Sequence, residues 1–392
     1  MTRRAVVAAL LALAVVLPAC SDGGDKVATV GVVAPLDSGL VQFGRGIRNS
    51  VQLAVDEANA RKAIPGWRIE VAAMDDSSDP TVGAAAAQRL AADDGVIGVI
   101  GTYNSGVAAQ VAPVLDAASI VMISPGNTNP SLTLGSDAAN PSRPHGNYFR
   151  MVANDATQGP FLAQMALSVA QARRVAVVSE TKAVSKGLAD AFSAAFTRAG
   201  GSIVLTRVVP DGATDFSALV REIAPLRPDV LFFGGEYNVG ATFSKQASEA
   251  GITASVMGGD GIKDEAYITA AGPAADGDLA STVGVPLSAP SERSFLDAYE
   301  KAGFTEPPSD FGPYAYDATN VVLAAAASAL KSESEVTASA RRAIITGVQN
   351  TDTTGVTGPI SFDAYGDTRN KVLTLYRVSG AAWVPVKTET LS

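Results

Sequence analysis

One cysteine and one histidine are all that this chain of 392 residues holds of two side chains on which nucleophilic catalysis and zinc binding most often depend. With Cys20 alone, no intrachain disulfide, no multi-thiolate zinc site and no cysteine nucleophile is available to the folded part. A Ser-His-Asp triad or a histidine-based metal site would have to use His145, which sits in a Pro-flanked loop, and no G-x-S-x-G elbow accompanies it. His145 therefore reads as a surface-loop histidine. No G-x-x-x-x-G-K-[ST] occurs, and Gly44-Arg-Gly46 is only a fragment of a dinucleotide fingerprint whose third glycine is missing. Positive charge is also scarce: 30 Lys and Arg stand against 39 Asp and Glu, a net −9 with no basic cluster, which excludes nucleic acid as a partner. After residue 20 no apolar run is long enough to cross a bilayer. No cofactor or metal motif and no catalytic signature is present.

What the chain does have begins with a leader. Arg3 and Arg4 precede an apolar run of 13 residues, 5–17, and Leu17-Pro-Ala-Cys20 ends it. The run is too short to span a membrane and reads as a secretory signal peptide over 1–19. Its end resembles a bacterial lipobox, in which Cys20 becomes a lipidated N-terminus and residues 20–26 a tether. Without Arg3 and Arg4 the net charge falls to −11, and the 373 residues from Cys20 suffice for two domains.

Strand and helix patterns alternate through the rest. Apolar runs at 27–33, 69–73, 96–100 and 120–123 read as buried parallel strands. The helices between them include one with Ile47, Val51, Val55 and Ala58 at helical spacing. Another is capped by Asp79 before Pro80. The Asp75-Asp76 pair reads as a solvated turn ahead of that cap rather than a cation site. After the break Asn140-Pro-Ser-Arg-Pro-His-Gly146 a second unit repeats the rhythm, with strands at 175–178, 203–209, 230–233 and 254–257. Its helices cover 158–171, 186–199, 216–224 and 240–250. The expected fold is α/β: two Rossmann-like, doubly wound, mostly parallel lobes around a cleft. Helices at 291–302, 315–330 and 335–346 are expected to complete the first lobe, and strands at 371–378 and 383–386 to return to the second. That gives lobe 1 as 27–146 with 287–355 and lobe 2 as 147–286 with 356–392.

The most informative stretch is 120–133, IVMISPGNTNPSLT. An apolar strand runs into Ser124, Gly126, Asn127, Thr128 and Asn129, a turn of short donors and backbone N–H groups at a strand's carboxyl end. The run at 96–100 does the same, ending in Gly101-Thr-Tyr-Asn-Ser-Gly106 before a helix. Two such edges side by side suit an anionic small molecule such as a carboxylate. Either alone would be an ordinary capped turn.

At this point the chain resembles the branched-chain amino-acid-binding (Leu/Ile/Val-binding) proteins of bacterial ABC importers. The likeness is carried in order by VVAPLDSGLVQFG at 32–44, NSGVAAQVAPVL at 104–115, MISPGNTNPSLT at 122–133, YFRMVANDATQGP at 148–160, DFSALVREI at 215–223, PDVLFFGG at 228–235, GPYAYDATN at 312–320 and GPISFD at 358–363. The resemblance implies the type I periplasmic-binding fold, with a multi-strand hinge between the lobes. It further implies a monomeric, lipid-anchored receptor outside the cytoplasm that delivers an amino acid to an ABC permease. It also implies site residues. Ser105, the Gly126 N–H and Thr128 would hold the ligand's carboxylate, and Asp260, in Met257-Gly-Gly-Asp260, its ammonium. A buried zwitterion needs both charges matched, at about 1.5–3 kcal/mol per charge-assisted hydrogen bond. Partners on different lobes would favour closure by differential contacts.

Tyr103 and Phe43 are further candidates, Phe43 either over the ligand or in the core. Where the family often has tyrosines, this chain has Val184 and Glu236, with Tyr237 following. A carboxylate at Glu236 either faces the pocket, favouring a polar or cationic ligand side chain, or lies at the cleft rim. A cysteine pair of some relatives falls at Ser78 and Asn104 here. Two other readings stay open: a receptor of the same fold for an amide, urea or aromatic acid, acting in sensing, and a hydrolase using Ser105, for which no base is in sight.

Overall fold

The computed structural model describes residues 25–37, 40–137 and 140–391, without the side chains of 183 and 184. The leader, Cys20 and the side chain of Val184 thus lie outside the described residues. Among those described, no helix is long and apolar enough to cross a membrane.

The first half alternates β1 (Lys26–Ala34), α1 (Val41–Ala60), β2 (Trp67–Asp75), α2 (Pro80–Ala91), β3 (Val96–Gly101), α3 (Ser105–Ala117), β4 (Val121–Ser124), α4 (Ser131–Leu134) and β5 (Tyr148–Arg150). The central strands are buried on both faces, as parallel strands covered by helices require: every residue of β3 and β4 is buried, whereas the run 69–73 in β2, at the sheet edge, is buried only at Ile69, with Glu70 and Ala73 exposed. All neighbours are parallel, in the order β2-β1-β3-β4-β5. Asp79 accepts hydrogen bonds from the Thr81 and Val82 N–H groups at 2.7 and 3.1 Å, with Pro80 opening the helix behind it. Asp75 accepts from the Leu36 N–H at 2.7 Å and the Ser77 hydroxyl at 2.5 Å, so it ties a turn.

The chain then crosses into α5 (Asp155–Ser168), β6 (Arg174–Glu180), α6 (Ala183–Arg198), β7 (Ser202–Val209), α7 (Ser217–Ile223), β8 (Val230–Gly234), α8 (Tyr237–Glu249), β9 (Ser255–Gly258), α9 (Glu265–Ala271) and β10 (Leu279–Val283). Helices α10 (Arg293–Ala302), α11 (Gly312–Ala329) and α12 (Ala338–Gln349), a hairpin of β11 (Asp352–Gly355) and β12 (Gly358–Ser361), and the pair β13 (Lys371–Ser379) and β14 (Ala382–Leu391) complete it. The second sheet runs β14-β13-β10-β9-β8-β6-β7, parallel from β7 to β10 and antiparallel through β13 and β14. Helix α11 packs against α1 and β3, and α12 against α11.

Two expected boundaries shift. The crossing at 146/147 is too early, because Tyr148–Arg150 pairs with β4 as the last strand of the first sheet. Three residues around a buried arginine carry no strand periodicity, which hides it. The return at 356 is also too early. The Val356 and Thr357 N–H groups bond to Asp317 on α11, and Phe362 packs at a tilt against Phe149 with ring centroids 5.0 Å apart, so the chain still lies along the first sheet.

Both sheets contain the strand order 2-1-3-4-5. In such open sheets ligands bind outside the carboxyl ends of the strands, at the point where the order reverses. That point is β1/β3 in one lobe and β6/β8 in the other.

Candidate functional site

A cavity of about 60 Å³ lies between the two switch points, and every residue lining it follows the carboxyl end of a strand. From the first sheet come Tyr103, Asn104 and Ser105 after β3, and Gly126 and Thr128 after β4. Facing them are Asp155 after β5, Ser185 and Leu188 on α6, Gly235 and Glu236 after β8, and Asp260 and Gly261 after β9.

The first wall is a set of donors held by its own turns. Gly101 has φ +140°, and a Cβ there would stand 2.1 Å from the Val33 carbonyl, so only glycine turns β3 out of the sheet at this point. Ser105 begins α3 and its Oγ accepts the Asn129 N–H at 3.3 Å, which leaves the hydroxyl proton to donate. The Gly126 N–H is not free as expected: it donates to Ser124 Oγ at 3.2 Å, beside the Asn127 N–H at 2.8 Å. The place of Gly126 has another reason. A Cβ there would press on the rings of Tyr103 and Phe311 at 3.1 and 3.2 Å. Arg150, fully buried, rivets the turn from below: its Nη1 donates to the Asn127 and Asn129 carbonyls at 3.1 and 2.9 Å, its Nη2 to Thr133 Oγ1 at 2.5 Å, and its Nε pairs with Asp367 at 2.5 Å.

The second wall is acidic. Asp260 is 7% exposed, and its backbone N–H donates to Gln158 Oε1 at 3.3 Å. Burial pushes its carboxyl up to about 6, against the pull of Gln158 and the Gly261 N–H. Asp155 opens α5, 1% exposed, its N–H bonded to the Thr128 carbonyl at 2.8 Å. Both its carboxylate oxygens are buried without a hydrogen-bonding partner. Burial, and then the charge of Asp260, push it up to about 7; the Thr128 hydroxyl and Arg150 oppose the shift from nearby without satisfying those oxygens. The wall thus carries two buried carboxyl groups, with the charge of Asp260 helping to raise Asp155; among the described residues no group of three or more His, Cys, Asp or Glu could hold a metal.

Glu236 sits at the edge of this wall. Its Oε1 accepts from Asn104 Nδ2 across the cleft at 3.0 Å, its Oε2 pairs with Lys182 at 2.6 Å, and its N–H donates to Glu180 at 2.7 Å. Phe43 and Tyr237 do not line the cavity. Phe43 packs behind Tyr103 with ring centroids 4.6 Å apart and meets Tyr237 edge-on at 5.9 Å, so the two join the lobes beside the site. On the same side Lys263 pairs with Asp310 at 2.9 Å, both largely buried. His145, with Asp116 at 3.4 Å, is remote from all of this chemistry.

Sequence reasoning missed Asp155, Asn104, Ser185, Leu188 and Arg150. The available signal for two of them was the segment 148–160, with an arginine in an apolar run and an aspartate before a helix.

Fold and site together define a two-lobed binding protein whose ligand lies between the lobes. The family model described as periplasmic binding protein matches residues 27–382. Leu/Ile/Val-binding protein homolog 3 of Brucella melitensis is 32% identical over 296 residues, 76% of this chain and 77% of that one. The Leu/Ile/Val-binding protein BraC3 of Rhizobium johnstonii is 29% identical, covering 89% and 91%. The Streptococcus pneumoniae branched-chain amino acid transporter substrate-binding protein LivJ, solved with isoleucine, superposes with a TM-score of 0.81 at 27% identity, over 93% of this chain and 99% of that one. The chain belongs to the branched-chain amino-acid-binding family of periplasmic binding proteins, with their type I fold.

Proposed function

We propose that this protein is the substrate-binding component of an ABC importer, capturing a free amino acid outside the cytoplasm. One observation carries the reading: two buried carboxylates, Asp155 and Asp260, face a wall of neutral donors across a small cavity. The ammonium of a zwitterion answers the acids, and its carboxylate answers Ser105, Thr128 and the amino end of α3. Gly126 contributes a close approach rather than its N–H. Glu236 closes the rim, and Phe43, Tyr103 and Tyr237 support the wall. An aromatic acid such as benzoate brings a further negative charge to this wall, and urea, though its N–H groups can donate to the acids, leaves their charge unneutralised, which disfavours the receptor of the alternative class. Among the described residues no histidine or lysine lines the cavity with Ser105, which favours binding over hydrolysis.

The protein acts in this reading as a monomer, tethered through a lipidated Cys20 and delivering to an ABC permease. Metabolic labelling with a radioactive fatty acid, lost in Cys20→Ala, tests the anchor. The binding role is tested by thermal melting of ligand-stripped protein against the proteinogenic amino acids, urea and benzoate. Stabilisation that saturates with an amino acid supports it. Stabilisation by benzoate or urea alone contradicts it.

A further inference from the structure

Once the zwitterion's two charged ends are assigned, the surface left for the ligand's side chain consists of Tyr103, Asn104, Ser185, Leu188 and Glu236. We infer that the ligand is an amino acid with a short, uncharged side chain ending in a hydrogen-bond donor, a hydroxyl or a carboxamide, rather than a branched aliphatic one. The inference rests on the zwitterion reading above and narrows it to a substrate class.

Leu188 is the single aliphatic side chain in the cavity lining. A branched aliphatic group gains its affinity by removing apolar surface from water into apolar surroundings. Here it would meet Tyr103 and Leu188 but would also cover Asn104, Ser185 and Glu236 and strip their hydration without replacing it. Asn104 adds a direct preference. Its Nδ2 is spent on Glu236 at 3.0 Å, while its Oδ1 is buried with no partner, an acceptor awaiting a donor. A site built to hydrogen-bond a substrate group discriminates strongly against the analogue that lacks it.

Charge narrows the class further. The carboxylate oxygens of Glu236 are both engaged, one by Asn104 and one by Lys182 at 2.6 Å. A cationic side chain would meet the Lys182 ammonium, and an acidic one would meet Glu236 and Asp155. The cavity, at about 60 Å³, admits only a handful of water-sized groups, at roughly 10–15 Å³ each, and so favours a short chain.

The test is calorimetric titration of ligand-stripped protein with serine, threonine and asparagine against leucine, isoleucine and valine. The best of the first set is expected to bind at least tenfold tighter than the best of the second. Leucine, isoleucine or valine binding equally well or better overturns the inference and leaves the zwitterion reading standing. No amino acid binding, with benzoate or urea bound instead, overturns the reading beneath it. In Asn104→Leu the ratio should shrink at least fivefold in favour of leucine, and an unchanged ratio counts against the role given to Asn104. Should that variant fail to fold, the wild-type ratio decides alone.

Discussion

The two walls of the cleft recognise charge by different means. The first relies on backbone and hydroxyl geometry: glycine at 101, the turn 124–129, and an arginine buried beneath it. Nothing on it carries a net charge toward the ligand, so its contribution is built in when the lobe folds. The second relies on ionised side chains, Asp155 and Asp260, whose charge is costly until a cation arrives. One wall is pre-organised and indifferent to pH; the other is strained electrostatically and titratable. In the proposed reading a zwitterion is drawn between them because only a closed cleft satisfies both.

Removing a charge from the second wall should have the largest effect. Asp260→Asn and Asp155→Asn are each expected to weaken the best amino acid by about 10- to 100-fold, as loss of a charge-assisted bond implies. Ligand-free Asp155→Asn should nevertheless melt no lower than wild type at pH 8, because an unpaired buried charge has gone. A fall of several degrees in that melting temperature would show that Asp155 is paired in the native protein.

A pH series sharpens the contrast next. The carboxyls of Asp155 and Asp260 lie at about 7 and about 6 in the folded protein, above the ordinary 3.8. Groups raised in this way favour the folded state at low pH, and that advantage is lost as pH rises through 6 and 7. The ligand-free protein therefore loses stability from these groups as pH rises from about 4, the ordinary carboxyl range, to about 7. An ammonium binds their ionised forms, so the ligand-induced rise in melting temperature should grow over the same range. A rise that is constant or shrinks toward pH 8 would break the comparison.

On the first wall, Ser105→Ala and Thr128→Val should each cost roughly three- to tenfold in affinity, as for single hydrogen bonds. Those ratios should hold at pH 5 and pH 8 alike. The smallest effect is expected at the lobe contacts. Lys263→Met removes the pair with Asp310 outside the cavity and should speed ligand release roughly two- to fivefold while leaving ligand preference unchanged.

The difference between the walls also explains what could be read from the sequence. A strand that ends in hydroxyls, amides and glycine is a local pattern, so Ser105 and Thr128 stood out before any coordinates. The Gly126 N–H did not behave as the pattern implied because Ser124, two residues earlier, takes it. Asp155 had no local signature beyond an aspartate ahead of a helix: its role comes from burial and from the chain crossing between lobes, which brings its N–H to the Thr128 carbonyl. Glu236 left two alternatives open; it lines the cavity, with its carboxylate held by Lys182 and Asn104. Most of the strand alternation was legible; the exceptions are β5, where three residues with a buried arginine give no period to detect, β10, and the short hairpin β11–β12, which has no apolar run.

The most direct test is a crystal structure of the protein with its tightest-binding amino acid. The ligand nitrogen should stand about 3 Å from carboxylate oxygens of both Asp155 and Asp260, with its carboxylate on Ser105 and Thr128. A ligand lying the other way round, or one whose nitrogen touches neither acid, would contradict the account.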